Sequence, residues 1–459
     1  MPNLTVLAGA PTFSDAFYNL NFLESATITA STATSLTMVS GSLTFAVTGA
    51  GFTLTNIGGK DYLATGTISG IDMSFLGTPY FSMDGLAIGA NLFRNTIIAE
   101  ENNTNIAGLE NLFRGQVYTF IGTVGGDFQS VTQLSLDGAS LLTTRDNQYF
   151  LYGGADTISA GRGDDTIWAD AGADSISGGN GNDVVYSGSD ADTVRGEKGA
   201  DYLDAGLGAD WLYGGSGADT LYGGDDADRS YGGSDADVMN GGLGIDRLYG
   251  GLGDDVVAGD EGTDILFGGD GNDEMDGGLA RDLLYGGAGN DTIYGREDRN
   301  RIYGGDGADS LFGDIDNDRI YGGADADQLW GNGGADLLDG STGDDTIRGE
   351  AGIDTLNGGG GADLMYGGTE ADIFVFAALS DMGIGLTHDF VLDFTSGSDK
   401  LDFAGLGLTF VTGAFTGASQ VRFDALTHVV QIDTDGNLVA DYEIELQAGA
   451  TVVAADVLV

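Results

Sequence analysis

"GGDGNDEMDGGLARDLLYGGAGNDTIYG", residues 268–295, carries an aspartate at 273, 282 and 291. The interval is nine residues, and it extends well beyond this stretch. Counting by nines from Asp156 to Asp372 meets 25 positions, of which 24 are aspartate and one is Asn300. Two residues after each position stands an apolar side chain, from Ile158 through Phe374, with Ser230 the exception. Glycine dominates two, four and five residues before each aspartate. A fixed period of this kind marks a repeat architecture and takes precedence over local propensity.

The chain has 459 residues and a formal net charge of −54. Residues 151–376 hold 48 acids and 11 bases, whereas residues 1–150 and 377–459 are net −7 and −10. Acidic blocks are usually solvated tails, but a solvated tail needs no register, and this one keeps it throughout. Such charge excludes nucleic acid as a partner, because phosphate binding needs clustered lysine and arginine. It points to cations. There is no cysteine, hence no disulfide and no thiolate metal site. The first basic residue is Lys60, so the amino terminus lacks the positive region of a cleaved signal peptide. No apolar run approaches the ~18 residues of a membrane-spanning helix.

Within "GGDGNDEMD" (268–276), Gly268, Gly269 and Gly271 can take positive φ and leave carbonyls unobstructed. Asp273 adds a carboxylate. These are hard oxygen ligands, and a flexible cage of six or more suits Ca²⁺ better than the smaller, stricter Mg²⁺. Met275 then points to one side of the chain and Glu274 and Asp276 to the other, as in a short strand. One apolar side chain per repeat is a thin core to set against backbone entropy. Bound cations would supply the missing stabilisation, and about 18 divalent ions would neutralise the repeats.

Gly-Gly-x-Gly-x-Asp-x-apolar-x resembles the nonapeptide of the RTX (hemolysin-type calcium-binding) proteins, over about half of the chain. The resemblance implies a mainly β fold, a right-handed parallel β-roll with two nonapeptides to a coil and the apolar residues inside. It places Ca²⁺ between turns stacked one coil apart, on the order of 10–20 ions in all. The ligands it assigns are Asp165, Asp183, Asp201, Asp219, Asp237, Asp246, Asp255, Asp264, Asp273, Asp282, Asp291, Asp309, Asp327, Asp336, Asp345, Asp354 and Asp363. The array should stay unfolded in calcium-poor cytoplasm and fold outside the cell at millimolar calcium. "ADIFVFAALSDMG" (371–383) followed by "DFVLDFTSGSDKLDFAGL" (389–406) resembles the segment that closes the roll in RTX proteins, including serralysin-type proteases. The terminal "ADVLV" (455–459) resembles an uncleaved type I secretion signal, the alternative being an ordinary final strand. The expected location is extracellular, secreted or at the cell surface, with calcium and the type I secretion machinery as partners.

Three regions follow: residues 1–150, the array 151–376, and a cap with the secretion signal, 377–459. In the first, "SLTMVSGSLTFAVTGAGFTLT" (35–55) alternates apolar and small polar residues, as half-buried strands do. Leu92, Phe93 and Ile97, then Leu109, Leu112 and Phe113, fall at helical intervals, so a small β-rich domain with two short helices is expected, of unknown role. From Ala377 the nine-residue period stops while strand-like text continues. In "VVQIDTDGNLVADYEIEL" (429–446), Asp435-Gly436-Asn437 reads as a hairpin turn. A metal loop of Asp433, Asp435, Asn437 and Asp441 is the alternative, although no glycine follows Asn437 as an EF-hand requires.

The only histidines are His388 and His428, and neither His-Glu-x-x-His nor Gly-x-Ser-x-Gly occurs. A non-catalytic protein is expected. The alternative enzyme is a glycan-acting one, using two of the eleven carboxylates of residues 1–150. The alternative binding protein is an adhesin or surface-layer component that uses the amino-terminal domain or the aromatic face of the roll. That face would carry Tyr213, Tyr231, Tyr249, Phe267, Tyr285, Tyr303 and Tyr321, either covering the sheet or docking a surface glycan or a second roll. Two local expectations complete the reading. The turn "GREDRNRIY" (295–303), with Asn300 for aspartate and Arg296 for glycine, should bind no Ca²⁺, its guanidinium groups bridging neighbouring acids. The full Gly-Gly-x-Gly-x-Asp occurs in seven of the twelve turns in the series from Asp165, but in one of the thirteen in the series from Asp156, so the two edges of the roll should be unequal.

Overall fold

The computed structural model describes residues 146, 148–151 and 153–459 except 384–386, and before residue 146 the strands alone. It divides into two compact units, Met1–Asp225 and Asp226–Val459. In the first unit the alternating text near residue 40 forms strands Ser35–Ser40 and Leu43–Ile57, paired antiparallel. Lys60–Phe75 and Thr78–Gly89 continue the antiparallel run. The two short helices expected around 92–97 and 109–113 lie outside the described residues.

From Gln148–Phe150 onward the pairing becomes parallel. Thr166–Trp168, Val184–Ser189, Tyr202–Leu207 and Thr220–Asp225 line up in one sheet, with Ile167 opposite Val185 and Leu203 opposite Leu221. The intervening nonapeptides, Thr157–Arg162, Ser175–Asn180, Thr193–Lys198 and Trp211–Ser216, form a separate sheet. Successive repeats therefore alternate between two sheets, and each strand pairs with the one eighteen residues on. The second unit repeats the arrangement: Ile265–Asp270 pairs with Leu283–Ala288, which pairs in turn with Arg301–Asp306, while Glu274–Asp276 pairs with Thr292–Tyr294. This is the expected parallel β-roll.

The strand residues explain their own placement. Each strand reads with its second and fourth residues buried. The second is the large apolar side chain: Leu266, Leu284 and Ile302 are 0 % exposed. The fourth is the glycine that lies five residues before the next aspartate, Gly268, Gly286 or Gly304, so the interior holds large and small residues in alternation. The chain then turns through two left-handed residues, Gly269 (φ +126°) and Gly271 (φ +141°) before Asp273. A Cβ on either would collide with the carbonyl of the coil below, Gly251 or Gly253. Where another residue takes these places it is mostly an acid, as at Asp226 (φ +78°), Asp260 (φ +67°), Asp298 (φ +65°) and Glu370 (φ +82°). Aspartate tolerates this conformation better than most side chains.

The outward aromatic column is present. In the second unit Tyr231, Tyr249, Phe267, Tyr285, Tyr303 and Tyr321 stack with centroids 4.7–4.9 Å apart and planes within 3–11°. Stacked face to face, these rings turn their edges outward. They cover the sheet.

The nine-residue period stops at Ala377, but the two sheets do not. Asp389–Val391 pairs in parallel with Leu364–Thr369, and Lys400–Asp402 with Ile373–Val375, so both sheets run on into the cap. The Asp363 amide donates to Asp389 Oδ1 (3.1 Å) and the Asp372 amide to Asp399 Oδ1 (3.2 Å). These partners are 26 and 27 residues apart, so the added loop length hides them from a count by nines. Beyond them Val429–Asp433 and Tyr442–Leu446 form the expected hairpin, antiparallel with Val430 opposite Ile444. The terminal Val457–Leu458 is a short strand beside Lys400–Asp402.

Candidate metal centre

The repeated turn buries a carboxylate. Every aspartate singled out from the sequence, from Asp165 to Asp363, is no more than 2 % exposed. Fifteen of these seventeen accept the amide of the residue eighteen positions before them. The Asp255 amide donates to Asp273 Oδ1 at 2.8 Å, that of Asp273 to Asp291 Oδ1 at 2.8 Å, and that of Asp264 to Asp282 Oδ1 at 2.8 Å. The other oxygen, Oδ2, is buried without a hydrogen-bond partner at Asp183, Asp201, Asp246, Asp255, Asp264, Asp273, Asp282, Asp291, Asp309, Asp327, Asp336, Asp345 and Asp354. A buried carboxylate oxygen left in this state is costly unless a cation or proton meets it.

Its surroundings form a cradle. A Cβ added to Gly268 would press against Asp273 Oδ2 and lie 2.6 Å from the Gly286 carbonyl oxygen of the next coil. At Asp282 the corresponding place, beside Gly277, is 2.8 Å from Oδ2 and 2.9 Å from the Gly295 carbonyl oxygen. Carboxylate and carbonyl oxygens thus converge on space that only glycine leaves open. Both edges of the roll have this geometry. Acids standing in place of the turn glycines leave the rung bond unchanged: Asp318, preceded by Asp314 and Asp316, accepts the Asn300 amide at 2.7 Å. Seven aspartates not singled out, Asp156, Asp174, Asp192, Asp210, Asp228, Asp318 and Asp372, are buried at the same repeat position.

Burial dominates the electrostatics. It drives Asp282 and Asp318 up to about 8, with neighbouring carboxylates adding to the shift and the amide bond from the coil below opposing it. Asp183, Asp264, Asp291 and Asp345 are pushed up to about 7 for the same leading reason. A column of such groups favours positive charge or protons beside it.

At the Asn300 turn a guanidinium bridges two neighbouring acids, as expected. Arg296 donates to both oxygens of Asp276 (Nε 3.1 and 3.0 Å, Nη2 2.8 Å), approaches Asp314 at 3.6 Å and lies 4.5 Å over the Tyr294 ring. Asn300 Oδ1 keeps the rung bond from the Asp282 amide (2.8 Å). Its Nδ2, in place of Oδ2, donates to the carbonyls of Glu297 and Asp298, both at 3.2 Å. Those carbonyls are satisfied by N–H groups.

An outer ladder runs the opposite way. The Asn290 amide donates to Asn272 Oδ1 and the Ala308 amide to Asn290 Oδ1, each at 2.8 Å, so these side chains accept from the coil above. Among the described residues one further set of acids comes together: oxygens of Asp433, Asp435 and Asp441 lie within 4.8 Å of one another in the hairpin loop. There Asp433 accepts the amides of Gly436 (2.7 Å) and Leu438 (2.9 Å), the bonding of a tight turn.

Stacked parallel coils, paired turn columns and cation cradles define a β-roll of calcium-binding repeats. Residues 152–374 match, in overlapping segments, the family model of the RTX calcium-binding nonapeptide repeat, and this region is an array of such repeats. A search of curated proteins gives no match. Among solved structures, the AlgE6R3 subunit of the Azotobacter vinelandii mannuronan C5-epimerase is 27 % identical, over 32 % of this chain and 78 % of its own, with a TM-score of 0.20. The AlgE6R2 subunit of the same epimerase is 29 % identical, over 30 % of this chain and 91 % of its own, with a TM-score of 0.25.

Proposed function

We propose that this is a secreted, non-catalytic calcium-binding protein whose array folds as Ca²⁺ binds outside the cell. The observation that carries the proposal is the buried, partnerless Oδ2 facing a carbonyl of the next coil, repeated along both edges. The donors are all oxygen, which suits a hard cation. Bound calcium supplies the positive charge that the columns lack. The chain's own parts hold the place open: Oδ1 is fixed by an amide, glycine removes the obstructing Cβ, and the stacked coil brings in the carbonyl. Circular dichroism during a calcium titration tests the reading. A disordered spectrum in chelator should convert cooperatively to β structure at millimolar calcium, and a β-rich spectrum in chelator that calcium leaves unchanged would overturn it.

Export is proposed to rest on the terminal "ADVLV". Asp456 there accepts Ser396 Oγ (2.7 Å) and the Gly397 amide (3.0 Å), so the same segment also completes the folded cap. Export through a type I system should fail once residues 455–459 are removed; undiminished export would refute the assignment. An adhesin role for the aromatic column finds less support than sheet covering, because a sugar stacks on a ring face and these faces are taken up by the neighbouring rings.

A further inference from the structure

The cradles are not all alike, and the difference lies five residues before each aspartate. That residue is glycine for 19 of the 24 aspartates; the exceptions are Leu151, Ala160, Ala169, Ser187 and Ala205, ahead of Asp156, Asp165, Asp174, Asp192 and Asp210. All five side chains are 0 % exposed. Strand register puts them where the glycines stand: Ser159 is opposite Ser177 and Gly161 opposite Gly179, so Ala160 falls on Gly178, and Ser187 falls on Ala205 likewise. Gly268, by contrast, has no positive φ. Its backbone would accept alanine, and what the position demands is space.

Resting on the calcium reading above, we propose that a side chain at this position plugs the cradle, so that these five rungs are built without calcium while the glycine rungs bind it. Ser187 shows the substitution in detail. Its hydroxyl donates to the Ala205 carbonyl at 3.0 Å, and that carbonyl is the one which, in an open cradle, faces Oδ2. At Asn300 the same end is reached with N–H donors. The methyl and leucyl plugs extend the apolar interior into the turn, so packing takes the cation's place there, and the Asp174 and Asp192 Oδ2 atoms, which stay buried without a hydrogen-bond partner, are left to a proton. Four of the five plugs, together with Asn300, belong to the series from Asp156. The edges are therefore unequal through plugging, and Asp165, assigned as a ligand from the sequence, belongs with the plugged rungs.

The test counts metal. Full-length protein, equilibrated with calcium and passed through a desalting column, is assayed for bound calcium per chain by elemental analysis. Ala205→Gly should gain about one ion, and Gly268→Ala should lose about one, while Ala218→Gly, at an exposed turn position, should match the parent. Unchanged stoichiometry in Ala205→Gly, with circular dichroism showing a folded chain, would overturn the proposal. So would full retention of calcium by Gly268→Ala. A parent that binds no calcium would instead overturn the underlying reading, so the two failures are distinct.

Discussion

At the scale of the residue, the repeat works through glycines with different duties. Gly271 takes φ +141° and faces the Gly253 carbonyl, so it is needed for both conformation and clearance. Gly360 also lies in a turn, but has no atom within 4 Å of an added Cβ and no left-handed φ. Gly271→Ala should therefore destabilise the calcium-loaded protein by about 2 kcal/mol or more, while Gly360→Ala should be neutral or slightly stabilising. Urea denaturation in saturating calcium compares the two; equal midpoints would contradict this assignment. The sequence names both simply as glycine. It shows the period of nine plainly, because one aspartate and one apolar residue per turn are chemically unmistakable. It does not show which glycine clears space for a cation and which only turns the chain, since that depends on a coil eighteen residues away.

At the scale of the element, each coil touches only its neighbours, as in other solenoids, and the ends matter most. The last repeats are closed by Asp389 and Asp399, which accept the amides of Asp363 and Asp372. Replacing both with alanine leaves those amides without acceptors, at about 1–3 kcal/mol each. Hydrogen exchange should accelerate in Leu364–Thr369 and Ile373–Val375, with Leu283–Ala288 unaffected. Uniform acceleration through the second unit would mean that the roll unfolds as one block. These closing rungs were illegible in the sequence for a definite reason: the aspartate and the apolar residue after it survive in Asp389–Val391 and Asp399–Leu401, but inserted loops shift their spacing. The hairpin around Gly436 was legible because its turn chemistry is local.

At the scale of the whole molecule, acidity and calcium should act in opposite directions. Burial raises the folded-state pKa of the rung carboxylates, to about 6 at Asp255 and about 8 at Asp282 and Asp327. The unfolded chain titrates near ~4. A raised folded value contributes stability that is present below the unfolded pKa and is lost as pH rises through the folded one. Without calcium, β structure should therefore be greatest near pH 4 and fall away between about 6 and 8. With calcium the trend reverses, because a protonated carboxylate is no ligand, and the calcium concentration needed for folding should drop as pH rises. Circular dichroism in chelator and in calcium across this range checks both signs. A metal-free protein that gains β structure as pH rises would contradict them.

The alternation of repeats between two sheets has a consequence for how such a chain can change its length. Removing eighteen residues takes out one coil, and every later turn meets the same kind of neighbour as before. Removing nine exchanges left for right: the turn that should meet Asp389 would arrive on the side of Asp399, and the cap, whose two joining loops differ in length, would face the wrong rung on each side. Insertions and deletions within the array are thus tolerated in pairs of repeats. A single repeat gained or lost must be matched by a redesigned cap.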